Sequence, residues 1–248
     1  MDIYLQLFNF AKNYNHSYFL HKIKEEFGFL FDKSEIDNLA LQLQITQKKS
    51  RPLYLHGYLI SSALEKFIQE NKSKLNKVNI LETGTARGFS SVIMSKILEK
   101  NNIIGIVNTL DLIPHHKKVF GNCFPAVKAQ RHLSRAEILK PYQNLVNKYI
   151  RFYDGDSMET LNNLNLERIH FAFLDGHHIY SYVKFELEYV CKRQISGDII
   201  VCDDYTKEQF PEIVKAVDEF IKKGLYDYKI FYGEDGIKKR GYVYLKKK

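Results

Sequence analysis

The hydrophobic pattern of the chain changes character near residue 76. Before that point apolar residues recur at helical spacing, with Leu5, Phe8 and Ala11 on one face and Leu59, Ala63, Phe67 and Ile68 on another, and no strand alternation interrupts them. Residues 1–75 therefore read as a helical extension. Asp32-Lys-Ser-Glu35 has the composition of a helix start, and Ser50-Arg-Pro52 marks a break.

From Val78 onward, short apolar runs end in glycine or an acid and each is followed by an amphipathic stretch, the signature of repeated βαβ units. The pattern predicts strands over 78–82, 105–110, 149–153, 170–174 and 198–202. Helices are predicted over 90–100, 158–163 and 180–192, and a last one carries Phe210, Ile213, Val217, Phe220 and Ile221 at helical spacing. The chain closes differently, with two strand-like runs over 228–232 and 240–245 around Gly233-Glu-Asp-Gly236, which reads as a hairpin. The expected fold is α/β, a doubly wound seven-stranded sheet of five parallel strands plus the C-terminal hairpin. Residues 76–248 form that ligand-binding domain, and 113–147 is an insert long enough to form a cap near its site.

Composition narrows the class without naming a function. At 248 residues, 45% hydrophobic and 27% charged, the chain suits a globular α/β domain and not a disordered one. The net charge of +8 comes from lysines spread over many segments, with only Lys246, Lys247 and Lys248 in a run, so a solvated surface is favoured over a nucleic-acid partner. No apolar stretch approaches the roughly 18 residues of a membrane helix, and the N-terminus lacks the basic start and apolar run of a signal peptide. Cys123, Cys191 and Cys202 form no CxxC pair. A cytoplasmic, reducing location is expected, and a homodimer is left open.

In an open α/β sheet, ligands bind outside the carboxyl ends of the strands. Those ends are acidic here: Glu82, Asp111, Asp154 with Asp156, Asp175, and Asp203 with Asp204. The first turn, Leu81-Glu-Thr-Gly-Thr-Ala-Arg-Gly88, places Gly84 and Gly88 so that backbone can pass close to a ligand and open a helix at Phe89-Ser90. It is not a dinucleotide fingerprint, because Ala86 and Phe89 stand where glycine is needed, and no Gly-Lys-Ser/Thr phosphate loop occurs. Asp111, one βαβ unit after the turn, suits a ribose, since a carboxylate accepts hydroxyl hydrogen bonds.

These residues resemble the class I S-adenosylmethionine-dependent methyltransferases of the macrocin and catechol O-methyltransferase type. The resemblance covers residues 79–206 and rests on the 81–90 turn, Thr109-Leu-Asp-Leu-Ile-Pro114, Asp154-Gly-Asp-Ser157, Phe173-Leu-Asp-Gly-His-His-Ile-Tyr180 and Gly197-Asp-Ile-Ile-Val-Cys-Asp-Asp204. It implies a Rossmann-like sheet holding S-adenosylmethionine. Glu82, Thr83, Gly84, Gly88 and Ser90, along the turn, would bind the cofactor, with Glu82 and the Gly84 turn approaching its methionine part. Asp111 would meet the ribose, Asp156 and Ser157 the adenine, and Asp175 would stand near the sulfonium.

The metal-dependent branch of this family further implies a divalent cation on Asp175, Asp203 and Asp204. Neighbouring parallel strands lie about 4.8 Å apart, so three carboxylates converging there would repel strongly without a counter-ion. All-oxygen ligation favours Mg2+ or Mn2+. Relatives often place a lysine or aspartate base nearby, where this chain has His177 and His178. The base is therefore open between them, with His178 preferred. His115 and His116, in the insert, could equally line an acceptor pocket, and no zinc spacing is present. Arg87, within the turn, is left unassigned between a ligand contact and a surface ion-pair partner. The expected activity is methylation of a small hydroxylated acceptor, a sugar or secondary metabolite. The rivals are a nucleic-acid methyltransferase, which the absence of an Asn-Pro-Pro-Tyr motif disfavours, and a non-catalytic protein of the same fold.

Overall fold

A computed structural model describes residues 2–47 and 51–248. Four helices come first: α1 (Asp2–Asn13), α2 (Ser17–Phe27), α3 (Lys33–Leu43) and α4 (Leu55–Asn71). Asp32 caps α3 by accepting a hydrogen bond from the backbone N of Glu35 at 2.9 Å, as the sequence signature predicts. Of the expected break at Ser50-Arg-Pro52, Ser50 lies outside the described residues, and residues 51–54 lead without regular structure into α4.

The βα alternation then runs through β1 (Val78–Thr83), α5 (Phe89–Lys100) and β2 (Gly105–Asp111). The insert follows with α6 (Phe124–Ala129), α7 (Arg135–Ile138), a 3-10 turn (Lys140–Tyr142) and α8 (Gln143–Tyr149). After it come β3 (Ile150–Asp154), α9 (Ser157–Asn163), β4 (Phe171–Leu174), α10 (Tyr180–Cys191), β5 (Ile199–Cys202), α11 (Pro211–Ile221), β6 (Tyr226–Glu234) and β7 (Lys239–Lys247). The strands form one sheet in the order β3-β2-β1-β4-β5-β7-β6. The first five are parallel, and β7 enters antiparallel between β5 and β6, so the expected five strands and hairpin are both present.

Successive residues of the central strands feed opposite layers. Ile80, Val107, Phe171, Phe173 and Val201 pack with buried residues of α1–α5 and α8. Leu81, Leu110, Ala172, Leu174 and Ile200 pack with α9, α10 and α11. Burial on both faces is why these strands read as unbroken apolar runs. The N-terminal helices share one hydrophobic core with the sheet, through residues such as Phe8, Ile23, Ile36 and Leu59.

Most element boundaries shift by one or two residues from the sequence pattern, and two of the shifts have a clear cause. Tyr149 ends α8 rather than starting β3, because α8 is the crossover helix of the β2–β3 unit and Tyr149 is buried in its packing layer. The terminal run Lys246-Lys247 belongs to β7, where Lys246 pairs with Ile199 and Lys247 with Tyr226. Pairing there uses backbone groups, which the charged side chains leave free to bond.

The turn after β1 ties three strands together. Gly84 N donates to Leu110 O at 2.9 Å, and Asp175 N donates to Thr83 O at 3.0 Å. Gly84 has φ of 87°, and a Cβ there would overlap the carbonyl oxygen of Asp175. Gly84→Ala is expected to destabilise the fold by about 2 kcal/mol or more, from strain and backbone displacement together. Urea unfolding of the variant checks this, and an unchanged midpoint would contradict it.

Candidate active site

A cavity of about 480 Å³ opens at the carboxyl ends of β1, β2, β4 and β5, a size suited to a small organic ligand. Thr83, Gly84, Asp111, Ser157, Asp175, His177, His178, Asp203 and Asp204, all expected from the sequence, lie on its wall. Thr46, Arg51 and His56 of the N-terminal region, Ile113 and Phe120 of the insert, and Arg240 and Tyr242 of β7 also line it.

Glu82, Gly88, Ser90 and Asp156 do not line the cavity; each serves the framework beneath it. Glu82 is fully buried and accepts hydrogen bonds from the hydroxyls of Ser90, Ser91 and Thr109. Burial raises its pKa, and the three hydroxyls act against that rise. Gly88 is the N-cap of α5, with φ of 90°. Asp156 is the N-cap of α9, taking Met158 N at 2.9 Å and Glu159 N at 3.2 Å, and its other oxygen accepts from the Tyr182 hydroxyl at 2.7 Å.

Asp111 sits at the end of β2 as expected but is already heavily engaged. Its Oδ2 accepts from Ala86 N at 2.6 Å and lies 3.0 Å from Nη2 of Arg135, while Oδ1 accepts from Ile113 N at 2.7 Å. A carboxylate offers about four acceptor positions. Two are taken by backbone N–H groups and Arg135 Nη2 stands beside them as a counter-charge without a hydrogen bond, so Asp111 keeps at least one position for a ligand hydroxyl.

On the opposite side of the turn, Glu186 of α10 accepts from Thr83 Oγ1 at 2.9 Å and from Ser157 Oγ at 2.7 Å. Both wall hydroxyls thus direct their protons at Glu186, which leaves their lone pairs for ligand donors such as amines. Burial pushes the Glu186 carboxyl up to about 7, against the pull of the two hydroxyls.

Asp175, His178 and Asp204 converge, with one ligand atom from each lying within 4.8 Å of the others. His178 Nε2 is 3.4 Å from Asp204 Oδ2 and 3.7 Å from Asp175 Oδ1. Two carboxylate oxygens and an imidazole nitrogen are a suitable donor set for a divalent cation. Asp203 is adjacent but turned differently: its Oδ1 accepts from Asp204 N at 2.6 Å and its Oδ2 lies 4.0 Å from Nδ1 of His56. Burial, then Asp175 and Asp204, hold the Asp203 carboxyl well above the usual range. Asp204 adopts φ of 56°, the left-handed conformation that reverses the chain between the two acids. His177 packs on Tyr182, with ring centroids 4.4 Å apart.

Several wall and support residues escape the sequence reading. Arg87, left unassigned by the sequence, is buried and donates to the carbonyls of Leu43 at 2.8 Å and Gln44 at 3.1 Å, clamping the β1 turn to the end of α3. Arg135 of the insert is 1% exposed and donates from Nε to Ala86 O at 2.7 Å while facing Asp111. Its one sequence signal is the capping box Ser134–Glu137 around it. His56 is buried, stacked on Phe173 at 5.9 Å and edge-on to Phe89 at 5.2 Å. A histidine within an otherwise apolar helix pattern is its only mark. His115 and His116 do not line the cavity. The His115 ring stacks on Phe152 at 3.8 Å, and burial followed by Arg135 brings its pKa down to about 4.

A doubly wound sheet in this order, with its cavity between a glycine turn and strand-end acids, defines the Rossmann-like methyltransferase fold. Residues 81–205, half of the chain, match the family model described as a methyltransferase domain, and the chain belongs to that family. No curated protein sequence matches it. Among solved structures it is similar to the O-methyltransferase NovP, at 17% identity over 86% of this chain and 98% of that one, with TM-score 0.60. An O-methyltransferase from Bacillus cereus in complex with SAH is 14% identical over 95% and 93% of the two chains, with TM-score 0.56. TomG from Streptomyces achromogenes, in complex with SAM, is 16% identical over 88% and 92%, also with TM-score 0.56. At these identities the likeness is one of fold.

Glu186 links the cavity wall to pH. Its folded pKa of about 7 exceeds its ordinary 4.5, so the folded state holds the proton more tightly than the unfolded chain. The resulting stability is complete below pH 4.5 and is lost as pH rises through 7, a total of about 3 kcal/mol. Glu186→Gln should flatten this slope. Urea unfolding at pH 5 and pH 7.5 measures it, and equal slopes in the two proteins would exclude the assignment.

Proposed function

We propose that the protein is an S-adenosylmethionine-dependent O-methyltransferase acting on a small hydroxylated acceptor, a sugar or secondary metabolite, with help from a divalent cation. The observation that carries this reading is the juxtaposition, in one cavity, of a glycine turn with a strand-end carboxylate and a cluster of oxygen and nitrogen ligands. The cofactor, when bound, supplies a methyl group already activated on a sulfonium. The chain's own residues fit it: Gly84 leaves bare backbone at the turn, Asp111 keeps one acceptor position, and Thr83 and Ser157 present lone pairs.

In this reading Asp111 accepts one ribose hydroxyl and Ser157 lies against the adenine, with Asp156 holding the start of α9 behind it. Glu82, Gly88 and Ser90 act indirectly, by shaping the turn. Asp175 and Asp204, with Nε2 of His178, would hold Mg2+ or Mn2+, and Asp203 positions Asp204 through its backbone. A cation there would lower the pKa of an acceptor hydroxyl. The same His178 nitrogen cannot both ligate and take a proton, so His177 becomes the nearer choice for the base.

Residues 1–75, through Thr46 and His56, cover the acceptor side of the cavity, and we take them as its cap. The lysines are spread over many segments of the chain, which favours a small acceptor over a nucleic acid. Among the described residues no helix is long and apolar enough to cross a membrane. The free cysteines suit a cytoplasmic setting.

Asp111→Asn should weaken S-adenosylhomocysteine binding about tenfold, the worth of one charge-assisted hydrogen bond, as read by calorimetry. Asp175→Asn and Asp204→Asn should each lower methyl transfer by about 100-fold or more while leaving that binding within a few fold. Full turnover after exhaustive chelation would remove the cation from the proposal; an absence of cofactor binding would remove the proposal itself.

A further inference from the structure

The cavity has a positively charged corner that methyl transfer by itself does not require. Arg240, at the start of β7, is 16% exposed in its side chain and lines the cavity. Its Nη2 lies 3.3 Å from Asp235 Oδ2, and its Nη1 is 3.8 Å from Asp204 Oδ1, too far for a hydrogen bond. Its Nε is buried with no hydrogen-bond partner among the described residues. A guanidinium has five N–H donors, and with Nη2 shared with Asp235 and Nη1 beyond hydrogen-bond distance of Asp204, the terminal nitrogens of Arg240 keep donors for an acceptor in the cavity.

Arg51 lies on the same wall. It rests on the face of Phe10, 4.4 Å from the ring centroid, and among the described residues no carboxylate lies within ion-pair distance of it. The β6–β7 turn touches both arginines. Asp235 holds Arg240, and at the next position a Cβ on Gly236 would lie 3.0 Å from an Arg51 guanidinium nitrogen. Asp235 is fully buried, and its carboxylate also accepts from Ile237 N and Lys238 N, so it is fixed as part of the turn. Gln44 and Thr46 add neutral hydrogen-bonding groups on this side, and Arg240 is within 4 Å of the cluster that faces the reacting hydroxyl in the proposed reading.

We infer that the acceptor carries an oxyanion, a carboxylate or a phosphate, close to the hydroxyl that is methylated, and that Arg240 and Arg51 bind it. This inference rests on the methyltransferase reading for the role of the hydroxyl, but the arginine pair binds the anion whether or not a methyl group is transferred. Planar guanidinium forks suit either oxyanion, and Arg240 supplies a close, partly buried contact while Arg51 supplies charge with no carboxylate within ion-pair distance among the described residues.

The test uses the full-length protein and pairs of acceptors that differ only in the anion: 3,4-dihydroxybenzoate against its amide, glucuronate against glucose, and glucose 6-phosphate against glucose. S-adenosylhomocysteine formation gives kcat/KM, and calorimetry on protein loaded with S-adenosylhomocysteine gives binding. The charged member of at least one pair should be preferred at least tenfold, in KM more than in kcat, and the pair that responds separates carboxylate from phosphate. Arg51→Gln, at an exposed side chain, should reduce that preference at least fivefold, and Arg240→Gln should do the same, with thermal midpoints confirming folding. If Arg240→Gln does not fold, Arg51→Gln and Arg240→Lys decide the matter. Arginine-dependent binding of the charged member without methyl transfer would uphold the inference and sink the methyltransferase reading. Equal or better use of the neutral members, no binding of any charged member, or a preference that survives both variants would overturn the inference.

Discussion

The parallel register of β1 against β2 and β4 is the constraint on which the rest depends. Thr83 pairs with Leu110 on one side and Leu174 on the other, so the three strands end level and their next residues, Gly84, Asp111 and Asp175, meet at one edge. The β4–β5 register, with Leu174 opposite Cys202, adds Asp203 and Asp204 to the same edge. Parallel strands require crossover helices, and each crossover returns the chain to start again from the far edge. The cavity is therefore a consequence of topology, and the turn at Gly84 is where backbone from β1 and β4 comes too close for any side chain.

Bringing acids to one edge creates charge that the fold must manage, and it does so differently at each depth. Glu82, under the turn, is surrounded by hydroxyls; Glu186, behind the wall, orders Thr83 and Ser157. At the opposite edge Asp198 is fully buried and takes a two-pronged hydrogen bond from Arg168, at 2.9 and 2.7 Å. Asp111 is held by Arg135, and Arg240 stands between Asp204 and Asp235. Among the described residues, Asp175, His178 and Asp204 bring one ligand atom each within 4.8 Å of the others at the cavity wall.

Much of the fold was legible in local patterns. The apolar runs of β1, β4 and β5, the cap at Asp32 and the helical spacing of α11 each depend on neighbours within a few residues, which periodicity records directly. The site was legible in part for the same reason. Asp111, Asp175, Asp203 and Asp204 announce themselves as acids ending strands, and Gly84 as the first residue of a turn. Their division of labour was not legible. Asp203 and Asp204 are adjacent in sequence, yet a left-handed residue turns one toward His56 and the other toward His178. Glu82 reads as one more strand-end acid, but strand alternation points it under α5 rather than into the cavity.

The sequence by itself determined the sheet, its glycine turn and the row of acids at its edge, because these follow from the order of residues along each strand. Only the tertiary structure decided what surrounds them. Arg87 bonds to carbonyls more than 40 residues away, Arg135 reaches back 49 residues to Ala86, and His56 and Arg240 arrive from opposite ends of the chain. Such side chains carry no periodic signal, since their partners are fixed by the packing of whole layers and not by spacing. The framework of the cavity was thus written locally, whereas its electrostatic character depends on contacts that exist only after the chain has folded.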